Sequence, residues 1–383
     1  MYTRRMPVPN RSFFLFGPRG TGKSTWLRQA LPGARWYDLL HSEVYLRLLS
    51  DPAEFRREVA ALEPGTWVVV DEVQRVPALL NEVHALAAEH PRRWRFALCG
   101  SSARKLKRMD ANLLAGRAIN RTFFPLVWEE LDGDVSIDDI LASGLLPGVR
   151  SDPEGAIDIL EACATSYLRE EIQQEALTRD LASFTRFLRV AALMNGQVVN
   201  VANISRESAV PRPTVQRYFD VLIDTLIGAW LPSWQPRVKV REVAHPKFYL
   251  FDPGVARAAA GLLRAPLHDS ERGPALETWI LHELRAHLAH RDLGGDLAYY
   301  RTPAGSEVDF VWTGSGHAVG IEVKAATRWR PADGRGLRDL HQRGVIRHAF
   351  GVYRGTHAQK DGPILVLPVR EFLDRLPIVI TAR

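Results

Sequence analysis

A glycine-rich loop near the amino terminus places the strongest constraint on the fold. The stretch Gly17–Ser24 reads Gly-Pro-Arg-Gly-Thr-Gly-Lys-Ser, which satisfies the spacing G-x-x-x-x-G-K-[ST]. It follows the apolar run Ser12–Phe16, typical of a short strand, and leads into Ser24–Ala30, which has the pattern of a helix. A loop in this position turns backbone N–H groups and a helix amino terminus toward an anion. The sequence therefore predicts a phosphate-binding loop in an α/β fold.

The residues of this loop are the candidate contacts to a nucleoside triphosphate, for which we expect ATP. Lys23 would reach the β- and γ-phosphates, and Ser24 would coordinate Mg²⁺. The expected nucleotide-binding residues are Gly17, Pro18, Arg19, Gly20, Thr21, Gly22, Lys23, Ser24, Thr25 and, further along, Asp71. The alternative, a glycine-rich turn that matches by chance, is disfavoured by the strand and helix on either side.

An acidic pair follows the next apolar run. Trp67–Val70 predicts a buried strand, and Asp71 and Glu72 come directly after it. Ligands of open α/β sheets bind at the carboxyl ends of strands. We expect Asp71 to complete the Mg²⁺ shell and Glu72 to orient or deprotonate the attacking water. Ser101 and Ser102 follow the predicted strand Arg95–Cys99, and one of them, Ser101 or Ser102, is a candidate catalytic residue that senses the γ-phosphate. A plain serine turn is the alternative for each.

Length and composition exclude several classes of protein. The chain has 383 residues, 46% hydrophobic and 25% charged, which is ordinary for a globular protein of two or three domains. It has no apolar run of about 18 residues that would span a membrane and no apolar secretory segment, so we expect a cytoplasmic protein without a membrane partner. The chain has two cysteines, Cys99 and Cys163, and they do not form a closely spaced pair. This argues against a disulfide framework and against a zinc site with cysteine ligands. The net charge of +6 permits a polyanionic partner without demonstrating one.

Strand-like and helix-like segments alternate through the first third of the chain, which indicates a parallel sheet covered by helices. A small-molecule kinase also uses a phosphate-binding loop. Such a kinase rarely needs an Asp-Glu pair for water and seldom carries so long a remainder of chain. Hydrolysis coupled to movement or assembly therefore fits better.

Several further motifs carry a family resemblance. They are Asp71–Pro77, Gly100–Ser102, Leu114–Arg117, Phe124–Leu126 and the pair Glu129-Glu130. Over nearly its whole length the chain resembles the AAA+-type ATPases that carry a carboxy-terminal DUF4143 domain. The resemblance implies a homo-oligomer in which an arginine from a neighbouring subunit completes the site. Arg117 is the first catalytic candidate and Arg121 the second, and a solvated or phosphate-contacting arginine is the alternative for both.

The middle of the chain has the pattern of a helix–turn–helix. Within Val201–Trp230 a short helix and a turn precede an amphipathic helix with Val215, Phe219 and Leu222 facing inward. The residues expected outside, where a recognition helix contacts DNA, are Arg212, Thr214, Gln216 and Arg217. The stretch Pro236–Tyr249 is predicted to form a basic β-wing that contains Arg237, Lys239, Arg241 and Lys247. We expect a winged helix with Lys239 among its DNA-binding residues, and a module used only for protein packing is the alternative.

Four polar residues near the carboxyl end form a second candidate site. Glu277 lies on the predicted helix Pro274–Ala289, and Asp309 lies on a strand that turns into the strand of Glu322 and Lys324. Strand alternation places Glu322 and Lys324 on one face. Asp309 and Glu322 are candidate ligands of one or two Mg²⁺ ions, and Mn²⁺ is a possible substitute. Lys324 is a candidate to orient or activate a water against a phosphodiester.

The order of these residues resembles the PD-(D/E)xK nuclease core, which implies a restriction-endonuclease-like α/β domain with Glu277 as a supporting catalytic carboxylate. An intact core that only binds DNA is the alternative. We expect three domains, at residues 1–135, 136–265 and 266–383. Our first hypothesis is a Mg²⁺-dependent ATPase that acts on DNA and cleaves it through the last domain. The alternatives are an ATP-gated DNA-binding or assembly protein without cleavage, and a switch for a protein partner.

Overall fold

The computed structural model describes residues 2–101, 116–133, 135–167, 180–235, 245–303, 305–314 and 316–381. Its contacts divide the chain into two compact units. The first comprises Thr3–Pro125 and Val221–Ile227, and the second comprises Met1–Tyr2, Leu126–Asp220 and Gly228–Arg383. The middle and carboxy-terminal segments thus share one unit, and the division into three domains remains a prediction. None of the helices in the described ranges is long and apolar enough to cross a membrane.

A five-stranded parallel sheet forms the first unit. Its strands are β1 (Phe13–Phe16), β2 (Arg35–Asp38), β3 (Trp67–Asp71), β4 (Arg95–Gly100) and β5 (Ile119–Thr122). They lie in the order β2-β3-β4-β1-β5, and every neighbouring pair is parallel. The helices are α1 (Lys23–Ala30), α2 (Ser42–Ser50), α3 (Pro52–Ala60) and α4 (Leu79–Glu89), with a 3-10 helix at Val73–Arg75. The predicted α/β class of this region is confirmed.

Both faces of this sheet are buried, which explains the run of valines in β3. Val68 and Val70 belong to one core cluster, whereas Val69 belongs to the other. Successive side chains of a strand point to opposite faces, so a strand that is buried on both faces has apolar residues at consecutive positions of its sequence. The parallel arrangement brings the carboxyl ends of β1, β3 and β4 to the same edge of the sheet.

Helices dominate the described residues between 128 and 260. They are α5 (Ile137–Ser143), α6 (Pro147–Ser151), α7 (Ala156–Ala162), α8 (Leu181–Leu193), α9 (Val201–Ser208), α10 (Arg212–Asp224) and α11 (Pro253–Ala260), with a 3-10 helix at Trp128–Glu130 and a π-helical turn at Cys163–Tyr167. Two antiparallel strands, β6 (Gly228–Leu231) and β7 (Lys247–Leu250), follow α10.

Helices α9 and α10 form the predicted helix–turn–helix pattern. The chain reverses at Ala209, whose φ of 52° is left-handed, and Pro211 then precedes α10. Val215, Phe219 and Leu222 are at most 2% exposed, so the predicted inward face is confirmed. Phe219 packs edge-on against Phe187 of α8, with ring centroids 4.9 Å apart.

A six-stranded mixed sheet forms the core of the remaining chain. Its strands are β8 (Asp296–Arg301), β9 (Glu307–Gly314), β10 (His317–Lys324), β11 (His348–Tyr353), β12 (Gln359–Asp361) and β13 (Ile364–Pro368), in the order β12-β13-β11-β10-β9-β8. Only the pairs β10-β11 and β11-β13 of this described sheet are parallel. The helices are α12 (Asp269–His290), α13 (Arg335–Gln342), α14 (Val369–Asp374) and α15 (Leu376–Thr381), with a 3-10 helix at Pro331–Gly334.

Helix α12 buries a carboxylate together with its apolar residues. Trp279 joins the same core cluster as Phe310 of β9. Glu283 is 4% exposed, and its Oε1 accepts hydrogen bonds from the Trp128 backbone N–H (2.8 Å) and from Trp279 Nε1 (2.9 Å). Burial nevertheless raises the pKa of Glu283 to about 8, because the charged form loses more solvation than these two donors return.

Candidate nucleotide site and carboxylate pocket

The phosphate-binding loop has the backbone that its sequence pattern requires. Gly20 and Gly22 have φ values of 83° and 90°, which L side chains rarely adopt. Lys23 opens α1 and is 7% exposed. Its Nζ donates to Gly17 O at 2.6 Å and to Pro18 O at 3.0 Å. The lysine ammonium is thereby fixed on the loop that we expect to hold phosphate.

The end of β5 and the amino-terminal segment support this loop. A Cβ on Gly17 would lie 2.3 Å from Phe123 O, so no larger residue fits there. Arg4 donates to Thr21 O and to Phe124 O, both at 2.7 Å, and its guanidinium lies 4.2 Å from the centroid of the Phe123 ring. Sequence reasoning missed Arg4 because one of its partners lies 120 residues away in the chain.

The acidic pair lies at the carboxyl end of β3, as its position in the sequence implies. Asp71 is 2% exposed, and its Oδ1 accepts a hydrogen bond from the Glu72 backbone N–H at 3.1 Å. Glu72 has a φ of 57°, a left-handed conformation that is uncommon for a residue with a side chain. Burial raises the pKa of Glu72, with neighbouring Asp71 adding to the shift and Lys23 opposing it. A carboxylate with a raised pKa is suited to accept a proton from water.

Gln74 links the acidic pair to Ser101, one of the two sensor candidates, and the other, Ser102, lies outside the described residues. The Gln74 Nε2 donates to Glu72 Oε2 and lies 3.4 Å from Ser101 Oγ. Its buried Oε1 has no hydrogen-bond partner among the described residues. Gly100 makes room for the amide, because a Cβ there would lie 2.4 Å from Gln74 Oε1. Gln74 was not among the predicted site residues, although its place two residues after Glu72 is a signal for it.

The donors around the loop fit a nucleotide with Mg²⁺. The Ser24 hydroxyl and the Asp71 carboxylate offer the hard oxygen atoms that Mg²⁺ prefers. Arg19, Gly20 and Thr25 are exposed and accessible to a ligand. Together with the fixed Lys23 ammonium, these groups supply positive charge and oxygen ligands at one edge of the sheet.

Arg117 does not contact the phosphate-binding loop of its own chain through any hydrogen bond that the structure describes. Its Nη1 lies 2.8 Å from His84 Nε2 on α4 and 3.3 Å from His84 O. The side chain is exposed. A role toward a neighbouring subunit stays a prediction for Arg117 and for Arg121.

The predicted DNA-contacting residues lie at the start of α10. Arg212, Gln216 and Arg217 are exposed, and Thr214 is half-buried. The predicted wing residues Arg237, Lys239 and Arg241 lie outside the described residues.

The predicted basic wing includes Lys247, but this lysine is buried and adds no exposed positive charge to a wing, so that part of the prediction is wrong. Lys247 is 4% exposed at the start of β7. Its Nζ forms an ion pair with Glu307 Oε1 at 2.7 Å. The physical reason is the need of a buried ammonium for counter-charges, which the neighbouring carboxylates supply.

The carboxy-terminal candidates line one pocket of about 460 Å³. Its charged lining consists of Glu277, Glu307, Asp309 and Glu322 and of Lys247, Arg301 and Lys324. Phe310 pairs with Ile321 in the antiparallel register of β9 and β10, which places Asp309 beside Glu322. Asp309 N–H lies 3.4 Å from Glu322 Oε2, and Lys324 Nζ lies 2.5 Å from Glu322 Oε1. The structure thus brings all four predicted residues to one pocket and adds Lys247 and Glu307.

Strand β7 contributes two polar groups to this pocket. Lys247 Nζ lies 3.9 Å from Glu277 Oε2, and the Tyr249 hydroxyl donates to the same oxygen at 2.9 Å. Residues two apart on a strand share a face, so one face of β7 meets Glu277. The signal that sequence reasoning passed over is a single lysine at the head of the apolar run Phe248–Phe251.

Crowded charges shift the pKa values in the pocket. Burial raises the pKa of Glu277 to about 8, and Asp309 adds to the shift. The same two causes raise the pKa of Glu322 well above its usual range. Burial opposes the charged form of Lys324, but Glu322 and Asp309 outweigh it and raise its pKa. Lys324 therefore stays protonated at neutral pH, which suits it to orient a water or a phosphate rather than to remove a proton.

Among the residues that the structure describes, no group of three or more His, Cys, Asp or Glu side chains is placed to hold a metal ion. The pocket holds two lysine ammonium groups against its carboxylates. Asp309 and Glu322 nevertheless lie beside each other in the strand register and offer the hard oxygen atoms that Mg²⁺ prefers.

Three family models match consecutive parts of the chain. Residues 9–132 match an AAA domain, and residues 272–372 match the domain of unknown function DUF4143. The chain combines an AAA domain with a DUF4143 domain. Residues 135–265, between these two, match a further domain of unknown function, DUF8612.

Relatives and solved structures add the following likenesses. Uncharacterized proteins of Mycobacterium tuberculosis and Mycobacterium bovis are each 26% identical over 349 residues, covering 90% of this chain and 76% of the relative. The RuvB structure of Thermotoga maritima is 14% identical, covers 58% of this chain and 82% of its own, and has a TM-score of 0.29. The Orc1 protein of Aeropyrum pernix in complex with DNA is 14% identical, covers 66% of this chain and 87% of its own, and has a TM-score of 0.25. At these TM-scores neither structure bears on function.

Proposed function

We propose that this protein is a Mg²⁺-dependent ATPase that acts on DNA. The observation that carries the proposal is the meeting of three groups at one edge of the parallel sheet. These groups are the loop with its fixed Lys23 ammonium, the buried Asp71, and Glu72 with its raised pKa. The AAA domain match over residues 9–132 supports the same activity.

In the proposed reaction, Glu72 orients a water molecule and accepts its proton as the water oxygen bonds to the γ-phosphorus. The bond between that phosphorus and the β,γ-bridging oxygen breaks, and ADP and phosphate leave. Lys23 offsets the negative charge that stays on the β-phosphate. Mg²⁺, when held by Ser24 and Asp71, neutralises charge on the phosphate oxygens. The Gln74 amide contacts both Glu72 and Ser101 and positions the two side chains relative to each other.

DNA contact is assigned to α10. Its exposed Arg212 and Arg217 lie near the helix start, where a recognition helix reaches phosphates and bases. The antiparallel pair β6-β7 follows that helix, which supports a winged-helix arrangement. The net charge of +6 is compatible with a polyanionic partner.

The carboxylate pocket is our candidate for phosphodiester cleavage. The Lys324 ammonium donates to a phosphate oxygen as negative charge develops on it, and Glu277 supports the pocket from α12. A divalent cation held by Asp309 and Glu322 would add charge stabilisation. A specific observation favours the second candidate, DNA binding without cleavage: Lys247 and Lys324 already satisfy part of the carboxylate charge.

One paired assay decides between these candidates. Purified wild type and Asp309→Ala are compared for ATP turnover with and without single- and double-stranded DNA, and for cutting of the same DNA in Mg²⁺ or Mn²⁺. Asp296→Ala, which changes an exposed carboxylate on β8, is the matched control. We expect cutting by wild type and the control only, with ATP turnover intact in all three. ATP turnover that DNA stimulates, without cutting of the DNA, supports the second candidate. ATP turnover that does not respond to DNA, again without cutting, points to a protein partner.

A further inference from the structure

We propose that the Lys247 ammonium permanently occupies one cation position of the carboxylate pocket, so that the pocket takes a single divalent cation. The inference rests on the proposed cleavage site and names the residue that limits its metal content. Lys247 lies outside the DUF4143 match, which begins at residue 272.

The surroundings of Lys247 are those of a bound cation. Its Nζ lies 2.7 Å from Glu307 Oε1, 3.8 Å from Asp309 Oδ1 and 3.9 Å from Glu277 Oε2. The ring of Tyr299 lies 5.3 Å away, a distance at which an aromatic face attracts a cation. Its side chain is 6% exposed, so the charge is compensated by these groups rather than by water.

Strand β7 fixes the ammonium in this position. It pairs with β6 on one side, with Leu231 opposite Lys247. On its other side, Gly196 N–H donates to Phe248 O at 2.8 Å and Val199 N–H donates to Pro246 O at 3.0 Å. Backbone pairing on both sides distinguishes Lys247 from a surface lysine that meets a carboxylate by chance.

The occupied position restricts where a divalent cation can bind. A cation on Glu307 or Glu277 would have to displace the ammonium, because like charges about 4 Å apart repel strongly in a partly buried site. Asp309 turns Oδ1 toward Lys247, whereas its Oδ2 accepts a hydrogen bond from Val323 N–H at 2.8 Å. Glu322 lies beyond the reach of the Lys247 ion pairs that the structure describes, and its Oε1 is 2.5 Å from Lys324 Nζ. We therefore infer that the single divalent cation binds between Asp309 and Glu322, on the side of the pocket away from Lys247.

Mn²⁺ titration of the full-length, nucleotide-free protein tests this inference, with bound Mn²⁺ counted by electron paramagnetic resonance. The number of Mn²⁺ ions bound in the pocket is taken as the number that is lost when Asp309 is replaced by asparagine. We expect one such ion per protein molecule in wild type and in Lys247→Arg, which keeps the charge. In Lys247→Met we expect either a second ion or affinity about tenfold higher, because a neighbouring positive charge is gone.

The outcomes separate the inference from the function on which it rests. Two Asp309-dependent ions in wild type, or a Lys247→Met variant that binds Mn²⁺ as wild type does, overturn the inference and leave the cleavage site standing. Unchanged Mn²⁺ binding in Asp309→Asn overturns metal-dependent cleavage itself, and the inference with it.

A charge-balanced variant covers the case in which Lys247→Met does not fold. Lys247→Gln combined with Glu307→Gln removes one charge of each sign, and Glu307→Gln alone is its control. The double variant is expected to bind Mn²⁺ about tenfold more tightly than the single one. Equal affinities would overturn the inference.

Discussion

The buried Glu283 makes the stability of this protein depend on pH, and substitution by glutamine should remove that dependence. Its folded-state pKa is about 8, against 4.5 for an unperturbed glutamate. The folded state therefore binds the proton more tightly than the unfolded chain does. The stabilisation is complete below the unfolded pKa and is lost as pH rises through the folded pKa. At about 1.4 kcal/mol per pKa unit, the loss between pH 4.5 and pH 8 is at most about 5 kcal/mol.

Glutamine is the matched substitution because it resembles the protonated acid. Its Oε can accept from Trp128 N–H and Trp279 Nε1, which both donate to Glu283 Oε1. The assay is urea unfolding followed by far-ultraviolet circular dichroism from pH 5 to pH 8. Between pH 5 and pH 8, we expect the free energy of unfolding of wild type to fall by several kcal/mol relative to that of Glu283→Gln. The exposed Glu154→Gln should run parallel to wild type. If the Glu283→Gln and wild-type curves are also parallel, the burial argument is wrong.

Three further predictions concern the proposed activities. Glu72→Gln should keep nucleotide binding and lower ATP turnover by about 100-fold or more, whereas the exposed Glu63→Gln should leave turnover unchanged; wild-type turnover in Glu72→Gln would remove the assigned base. Gly100→Ala should lower ATP turnover without loss of folding, because the new Cβ would lie 2.4 Å from Gln74 Oε1 and displace the amide. A fluorescent-nucleotide titration measured beside a turnover assay checks this. Unchanged turnover would contradict the role of Gln74. Replacing Arg212 and Arg217 together by alanine should weaken DNA binding and lower the salt slope of log K by about 0.9 for each phosphate that the variant no longer neutralises, and an unchanged slope would move the DNA-binding surface elsewhere.

The nucleotide site could be predicted because its information is local in sequence. A loop, its flanking strand and helix, and an acidic pair at a strand end each occupy a few consecutive residues. The parallel sheet then places these elements at the same edge, and no other sequence feature is needed to bring them together. Gln74 is also local, but its role depends on the space left by Gly100 on the neighbouring strand, which no short pattern records.

The carboxylate pocket was predictable only in part. The hairpin β9-β10 places Asp309 beside Glu322 by strand register, which follows from sequence alternation. Lys247 lies on β7, which is distant in sequence from the hairpin β9-β10. Its positive charge led to the prediction that it belongs to a basic wing. The choice between a solvated and a buried lysine depends on carboxylates distant in sequence, so composition alone misassigned it.

The pairing of Lys247 with Glu277, Glu307 and Asp309 has a consequence for how such chains are inherited. The DUF8612 match ends at residue 265 and the DUF4143 match begins at residue 272, yet the ion-paired pocket draws on both sides of that boundary. A recombination event at the boundary would separate a buried ammonium from its three carboxylates. Relatives that exchange either segment should therefore change position 247 and the facing acids together. We therefore expect the ion-paired pocket to be kept only where the two segments are inherited together.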